Sequence, residues 1–187
     1  MTIPRELKLQ SINGVLELVQ TPVESMKQLR RPILEWSNLD IQPGQNVLSA
    51  VHGDKLEIEA EFNISGVEEF GFKVRKSETE ETVIGYNVTE QSLFVDRSKS
   101  GKTDFNPQFS SRNKAPLAPV NKKIKLRIYV DWSSVEVFAN DGQRVITDLI
   151  FPDSGSNGLE LFAKGGSLRV ERLKLYQLTS SQGDKKQ

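Results

Sequence analysis

The sequence predicts an all-β protein, a two-sheet antiparallel β-sandwich. Three observations carry that expectation. In run after run, apolar residues alternate with polar ones, the period of a half-buried strand. Proline, glycine and Asn/Asp-Gly pairs separate those runs at short intervals, as they do in sandwiches. Only one segment carries the signals of a helix start, too few for the crossovers of a parallel sheet. A chain of 187 residues is long enough for one domain with a sizeable core.

Taken in order, residues 5–10 and 15–19 read as two short strands, and Asn13-Gly14 between them is a type I′ hairpin signal. Thr21-Pro22-Val23-Glu24 then resembles a helix start. Thr21 can cap it, Pro22 suits the first helical position and Glu24 completes a capping box. Pro32 limits this helix to an end near Leu29. From Val47 onward the pattern is all β. Leu56, Ile58, Ala60 and Phe62 alternate with Lys55, Glu57, Glu59 and Glu61, which predicts an antiparallel strand with one wet face. Phe70, Phe72 and Val74 continue the theme, and residues 83–86 and 93–95 supply two more strands. Asp96 to Lys123 reads as one long polar loop with apolar anchors at Phe105 and Phe109; loops of that length are usually functional or mobile.

Ile124 to Phe151 is the most regular stretch. Ile124, Leu126, Ile128 and Val130 alternate with Lys125, Arg127, Tyr129 and Asp131. Trp132-Ser133-Ser134 turns the chain into a second strand begun by Val135 and Val137, with Glu136 on the opposite face. Asn140-Asp141-Gly142 is the next turn and calls for positive φ at Gly142. Val145 to Phe151 is apolar on both faces apart from Thr147 and Asp148, as a central strand covered on both sides would be. Residues 159–163 and 168–178 read as a last pair joined through Gly165-Gly166, with a bulge near Glu171 to reconcile a switch in apolar register. Residues 180–187 are polar and predicted to fray.

Bulk composition excludes several functions. Basic and acidic residues balance at 25 each, so no electrostatic case arises for nucleic acid or an anionic membrane. Cysteine is absent, which removes disulfides and thiolate chemistry. No apolar run approaches the ~20 residues of a membrane span. His52 is the one histidine and cannot build a metal site or a triad alone. Asp40, Asp54 and Asp96 are too scattered to suggest calcium. Gly101-Lys102-Thr103 resembles the end of a phosphate loop, but Asp96 stands where the upstream glycine belongs. No metal or other cofactor is expected. The sequons at Asn63 and Asn87 matter only in a glycosylating host.

The central stretch also carries a resemblance. Ser134-Val-Glu-Val-Phe-Ala-Asn-Asp-Gly142, followed by Thr147-Asp-Leu-Ile-Phe-Pro152, resembles the signature of the C-terminal β-sandwich of glycoside hydrolase family 32, which holds levanases, inulinases and invertases. Ile3-Pro-Arg-Glu-Leu-Lys-Leu9, Gln20-Thr-Pro-Val23, Val95-Asp-Arg-Ser-Lys-Ser-Gly101 and Gly158-Leu-Glu-Leu-Phe162 match in the same order. The resemblance implies a concanavalin- or jelly-roll-like sandwich that follows a five-bladed catalytic propeller. It divides the chain into a connector (1–31), the sandwich (32–178) and a polar tail (179–187). It implies a catalytic propeller as partner and an extracellular location shared with a parent enzyme (the cytoplasm being the alternative); the charge balance and the lack of a long apolar run, for their part, predict no nucleic acid or membrane partner. Any export signal would lie upstream of that propeller, so Met1 reads as an artificial start or an internal residue.

The family's catalytic carboxylates stand in Asn-Asp-Pro, Arg-Asp-Pro and Glu-Cys contexts, and none of these occurs here. No catalytic residue is therefore assigned. Two functions remain, a non-catalytic accessory domain that stabilises the propeller and a module that binds terminal fructosyl units of levan or inulin. A fructosyl ring offers many hydroxyls, so its site needs ionised acceptors and a forked donor. Asp96, Arg97, Arg127, Asp131 and Glu136 are the candidates, with Asp96, Arg97 and Glu136 expected on one concave patch. Beside that stands the plainer reading. Asp96 and Arg97 cap a turn and form a surface ion pair, Glu136 faces solvent or pairs with Arg127 or Arg144, and Trp132 is packed rather than a stacking platform.

Overall fold

Two antiparallel sheets of six and five strands stack face to face, and a separate two-stranded hairpin leans on the larger one. The computed structural model describes residues 2–12 and 14–179. The hairpin is β1 (Arg5–Ile12) and β2 (Val15–Pro22). A 3₁₀ helix, Glu24–Leu29, leads into β3 (Arg30–Ile41). Then follow β4 (Leu56–Asn63), β5 (Glu69–Lys76), β6 (Glu81–Asn87), β7 (Ser92–Lys99), β8 (Arg112–Pro116) and β9 (Lys123–Asp131). The chain closes with β10 (Ser134–Ala139), β11 (Arg144–Leu149), β12 (Gly158–Lys164) and β13 (Leu168–Leu178). The six-stranded sheet runs β11-β10-β9-β4-β13-β3 and the five-stranded sheet β12-β5-β6-β7-β8.

The core lies between the sheets and comes from the alternation in the sequence. Leu56, Ile58, Ala60 and Phe62 of β4 and Ile124, Leu126, Ile128 and Val130 of β9 all point inward and are buried. Phe70, Phe72 and Val74 of β5 meet them from the other sheet. Phe62 sits 4.8 Å from Phe70 and 6.0 Å from Phe72, ring centroid to centroid, so tilted aromatic pairs bridge the layers, and Phe70 also sits 5.8 Å from Tyr86 on the neighbouring strand of its own sheet. Tyr86 donates its hydroxyl to the Leu117 carbonyl at 2.8 Å, and burial pushes its phenol up to about 12.

The register switch in β13 is real. Its pairing with β4 jumps between Val170 and Arg172, leaving Glu171 as the bulge, so that Val170 and Leu173 both reach the core. The turn after β10 has positive φ at Asn140, Asp141 and Gly142, and the Gly142 amide donates to the Ala139 carbonyl.

Several expectations need correction. The helix after the hairpin is a 3₁₀ helix, and Thr21 and Pro22 belong to β2 instead of capping it. Thr21 is held opposite Glu6 in the hairpin ladder, so the cap position falls to Val23, which makes no side-chain capping bond. The segment from Asp96 to Lys123 is not one loop. β7 runs on to Lys99, and β8 returns to pair with it. β11 is an edge strand, because among the described residues it pairs with β10 alone in that sheet. Its outward Leu149 is 51% exposed. β12 and β13 do not pair with each other. Gly165 and Gly166 carry the chain from the smaller sheet to the larger, and a Cβ at Gly166 would stand 1.9 Å from the Gly66 carbonyl oxygen. The outward face of β4 is not uniformly wet either, since Glu57 is wholly buried. Trp132 is exposed instead of packed. Asn13 of the expected first turn and the tail from residue 180 lie outside the described residues.

Candidate functional site: the charged face beneath the hairpin

The outer face of the six-stranded sheet is built from the polar half of each alternating strand. β4 contributes Glu57, Glu59 and Glu61; β9 contributes Lys125, Arg127 and Tyr129; β10 contributes Glu136 and Phe138. Carboxylates on β4 therefore stand opposite cations on β9, Glu59 beside Arg127 and Glu61 beside Lys125.

The hairpin covers one end of this face through specific contacts. Glu136, 2% exposed, accepts from the Ile3 backbone amide at 2.7 Å and from Arg5 Nη2 at 2.6 Å. The same Arg5 nitrogen donates to Thr147 Oγ1 at 2.7 Å, and its guanidinium lies 5.1 Å from the centroid of the Phe138 ring. Farther along, the Gln20 amide donates to the Gly142 carbonyl at 3.0 Å, and Arg144 Nη1 pairs with Glu17 at 2.6 Å.

Arg30, at the start of β3, reaches across the other side of this face. Its Nε donates to Glu57 at 2.7 Å and its Nη2 to Glu59 at 2.5 Å, while the guanidinium sits 4.5 Å over the Tyr176 ring. Arg127 closes the network with Nη2 2.6 Å from Glu59. Burial, with the Glu57 charge beside it, pushes the Tyr129 phenol well above its ordinary range. Between the hairpin and this network lies an open groove of about 620 Å³, lined by Lys27, Arg30, Glu59, Lys125, Arg127, Phe138 and Tyr176 among others. Most of its charges are already matched, as Lys125 is to Asp141 and Lys174 to Glu35. Such a face is suited to holding another polypeptide segment in register. Among the described residues no group of three or more His, Cys, Asp or Glu could hold a metal ion.

The five residues singled out in the sequence do not converge. Arg127 and Glu136 share the outer face on neighbouring strands, but each is engaged with a separate partner, Glu59 and Arg5. Asp131 ends β9 and accepts the Trp132 amide at 2.8 Å. Asp96 belongs to the other sheet and accepts from the Ser98 amide and hydroxyl, which is the turn-capping role. Arg97 donates to Ser111, stacks 4.2 Å from the Phe109 ring centroid and lies 3.7 Å from Asp148. Asp148 faces inward on β11, whereas Glu136 pairs with the outward Thr147 one residue earlier. Arg97, from the smaller sheet, thus meets the inner side of the six-stranded sheet while Glu136 lies on its outer side, and the single patch with Asp96 does not form.

Arg5 and Arg30 organise this face, and neither was a candidate from the sequence. A cation at the start of a strand carries no local sign of its partner, and these partners lie 131 and 27 residues away. Glu57 likewise looks like any other polar residue in an alternating strand.

A two-sheet antiparallel sandwich with a clamped N-terminal hairpin defines the class, a β-sandwich module. The chain belongs to glycoside hydrolase family 32: the family model described as "Glycosyl hydrolases family 32 C terminal" matches residues 25–177, starting just after β2. A levanase of Bacillus subtilis (strain 168) is 50% identical over 181 residues, which is 95% of this chain and 27% of that protein. An extracellular exo-inulinase of Aspergillus awamori is 33% identical over 97% of this chain and 35% of its own length. The crystal structure of exo-inulinase from Aspergillus awamori superposes with a TM-score of 0.87 at 32% identity, over 96% of this chain and 36% of that one. The chain thus spans roughly a quarter to a third of the length of these relatives.

Proposed function

We propose that this chain is a non-catalytic accessory domain of a fructan- or sucrose-cleaving glycoside hydrolase, and that it docks on and stabilises a catalytic propeller. On this reading the parent enzyme works outside the cell, and likeness to relatives that include extracellular exo-inulinases supports it. Residues 1–31 are, on this reading, the connector, residues 32–178 the sandwich and residues 179–187 a polar tail.

One observation carries the docking. The hairpin has one face turned to the sandwich and one turned away. Val19 is buried against the sandwich, while Leu9 and Leu18, directly opposite each other, are 67% and 49% exposed. Leu7 and Leu16 extend the same outward face. An isolated two-stranded hairpin is marginal in water. A clustered leucine face on one reads as a surface awaiting a cover. The match to the family model begins after the hairpin, in keeping with a hairpin that serves the preceding part of the enzyme.

The test uses a levanase catalytic part produced without its own C-terminal region. Mixed with this chain it should gain thermal stability, and Leu9→Glu with Leu18→Glu should abolish the gain. The chain alone should release no fructose from sucrose or levan. A fructose-releasing activity that vanished on mutating one of its own carboxylates would refute the non-catalytic reading.

A further inference from the structure

The end of the sandwich that carries the β9–β10 turn displays a tryptophan locked in place yet open to water. Trp132 is 63% exposed. An indole so exposed forgoes the gain that burial of its large apolar body would bring. Four neighbours nevertheless fix it. Its Nε1 donates to Asp54 Oδ2 at 2.6 Å, and its amide donates to Asp131 Oδ1 at 2.8 Å. Its carbonyl accepts from Arg75 Nη1 at 3.2 Å, and Lys55 Nζ stands 5.3 Å from the ring centroid.

Arg75 makes the mount rigid. It is 3% exposed, and its other nitrogens donate to the Ser156 carbonyl at 2.8 Å and the Asp153 carbonyl at 3.2 Å. Glu80 in turn receives the Asp153 amide and the Ser156 hydroxyl. Three segments distant in sequence, the β5 strand end, the β9–β10 turn and the loop at residues 153–156, are thereby tied to one buried guanidinium. Binding loops on a sandwich cluster at its ends, held by the rigid sheets.

We propose that the Trp132 turn is a stacking platform for one unit of a neutral saccharide. The chemistry around the ring selects that ligand. Asp54 and Asp131 each commit one oxygen to Trp132, and a carboxylate accepts with two. Glu80 and Asp153 add negative charge at the same end, which repels an anionic ligand. A protein partner fits less well, because the cores of protein interfaces are depleted of charge, and this ring is flanked by two carboxylates and an ammonium. A saccharide presents C–H groups to the indole and hydroxyl donors to the carboxylates. The lock on the indole lowers the ordering cost of binding. The site stands apart from the hairpin and from the charged groove, and it does not depend on docking.

The test is a titration of the full chain with 1-kestose and, in a second arm, with maltotriose, followed by the NMR shift of each indole N–H and by calorimetry. The other indole, Trp36, is partly buried against the core and serves as the internal reference. The expected result is a saturable shift of the Trp132 indole with one of the sugars while Trp36 stays still. Trp132→Ala should weaken that binding at least tenfold, about 1.4 kcal/mol, with an unchanged melting temperature. Asp54→Asn should weaken it to a lesser degree. An unmoved Trp132 signal with both sugars overturns the platform, since that readout needs no variant. Calorimetric binding that survives Trp132→Ala undiminished overturns it as well, by moving the site elsewhere.

Discussion

Arg5 and Glu136 meet at 2.6 Å, so the first strand of the chain is anchored to the middle of its most regular meander. Their side chains are 17% and 3% exposed. Glu136 also holds the Ile3 amide, so one carboxylate orders both the entry of the chain and the base of the hairpin.

Removing one member of such a pair leaves the other charge without its partner. Glu136→Ala should destabilise the chain by about 3–5 kcal/mol. Glu136→Gln keeps the shape and some hydrogen bonding and should cost about 1–3 kcal/mol. Urea denaturation of both variants checks the order; equal stability of Glu136→Ala and the parent chain would contradict the buried anchor.

The Gly142 turn meets the hairpin backbone. At Gly142 φ is +93°, and a Cβ there would lie 2.0 Å from the Gln20 carbonyl oxygen. Gly142→Val should therefore cost more than ~1 kcal/mol. It should also loosen the hairpin before it harms the sheets. Hydrogen exchange should show the Gln20 amide losing protection first, with the β9 and β10 amides following only at global unfolding.

Asp148 sets a pH dependence. Burial raises its pKa, while the Arg97 charge and the Asn113 amide work against that rise. The folded state thus binds a proton more readily than the unfolded one. At pH values above the raised folded value the ionised group costs stability, and that cost disappears as the pH falls toward the ordinary value of 3.8. Asp148→Asn should raise the melting temperature near neutrality and converge with the parent in acid. A variant whose advantage grew on acidification would reverse the assigned sign.

The leucine face of the hairpin should be visible in solution. The chain alone should bind a hydrophobic dye such as ANS, and Leu9→Glu with Leu18→Glu should remove most of that signal with little change in melting temperature. Both leucines are outward and exposed, so their loss leaves the core intact. Dye binding unaltered by the pair would place the apolar surface elsewhere.

The strands of the core were legible because alternation is a local signal. Leu56 to Phe62 and Ile124 to Val130 announce both a strand and its inward face without reference to any other segment. The bulge at Glu171 was legible for the same reason, since a one-residue slip in β13 would have turned Leu173 and Leu175 away from the core. The 3₁₀ helix was misread as a capped α-helix because Thr21 and Pro22 satisfy the local rule for a cap. The ladder to β1, which holds Thr21 opposite Glu6, overrides that rule.

By itself, then, the sequence determined the all-β class, the period and inward face of most strands, the turn at Asn140 to Gly142, and the family resemblance carried by Ser134 to Gly142. Tertiary structure alone decided which polar residues are partners. Glu57 and Glu59 look equivalent in β4, yet only Glu57 is sealed beneath Arg30. Arg97 and Glu136 looked compatible with one site, yet they belong to different sheets, Arg97 reaching the inner side of the larger sheet and Glu136 lying on its outer side. Trp132 looked fit for packing, yet the structure holds it open to water. The physical reason is the same in each case. Apolar burial follows from a pattern within one strand, whereas an ion pair or a mounted ring depends on directional contacts between segments far apart in the chain. Only the closed sandwich brings those segments within hydrogen-bonding distance.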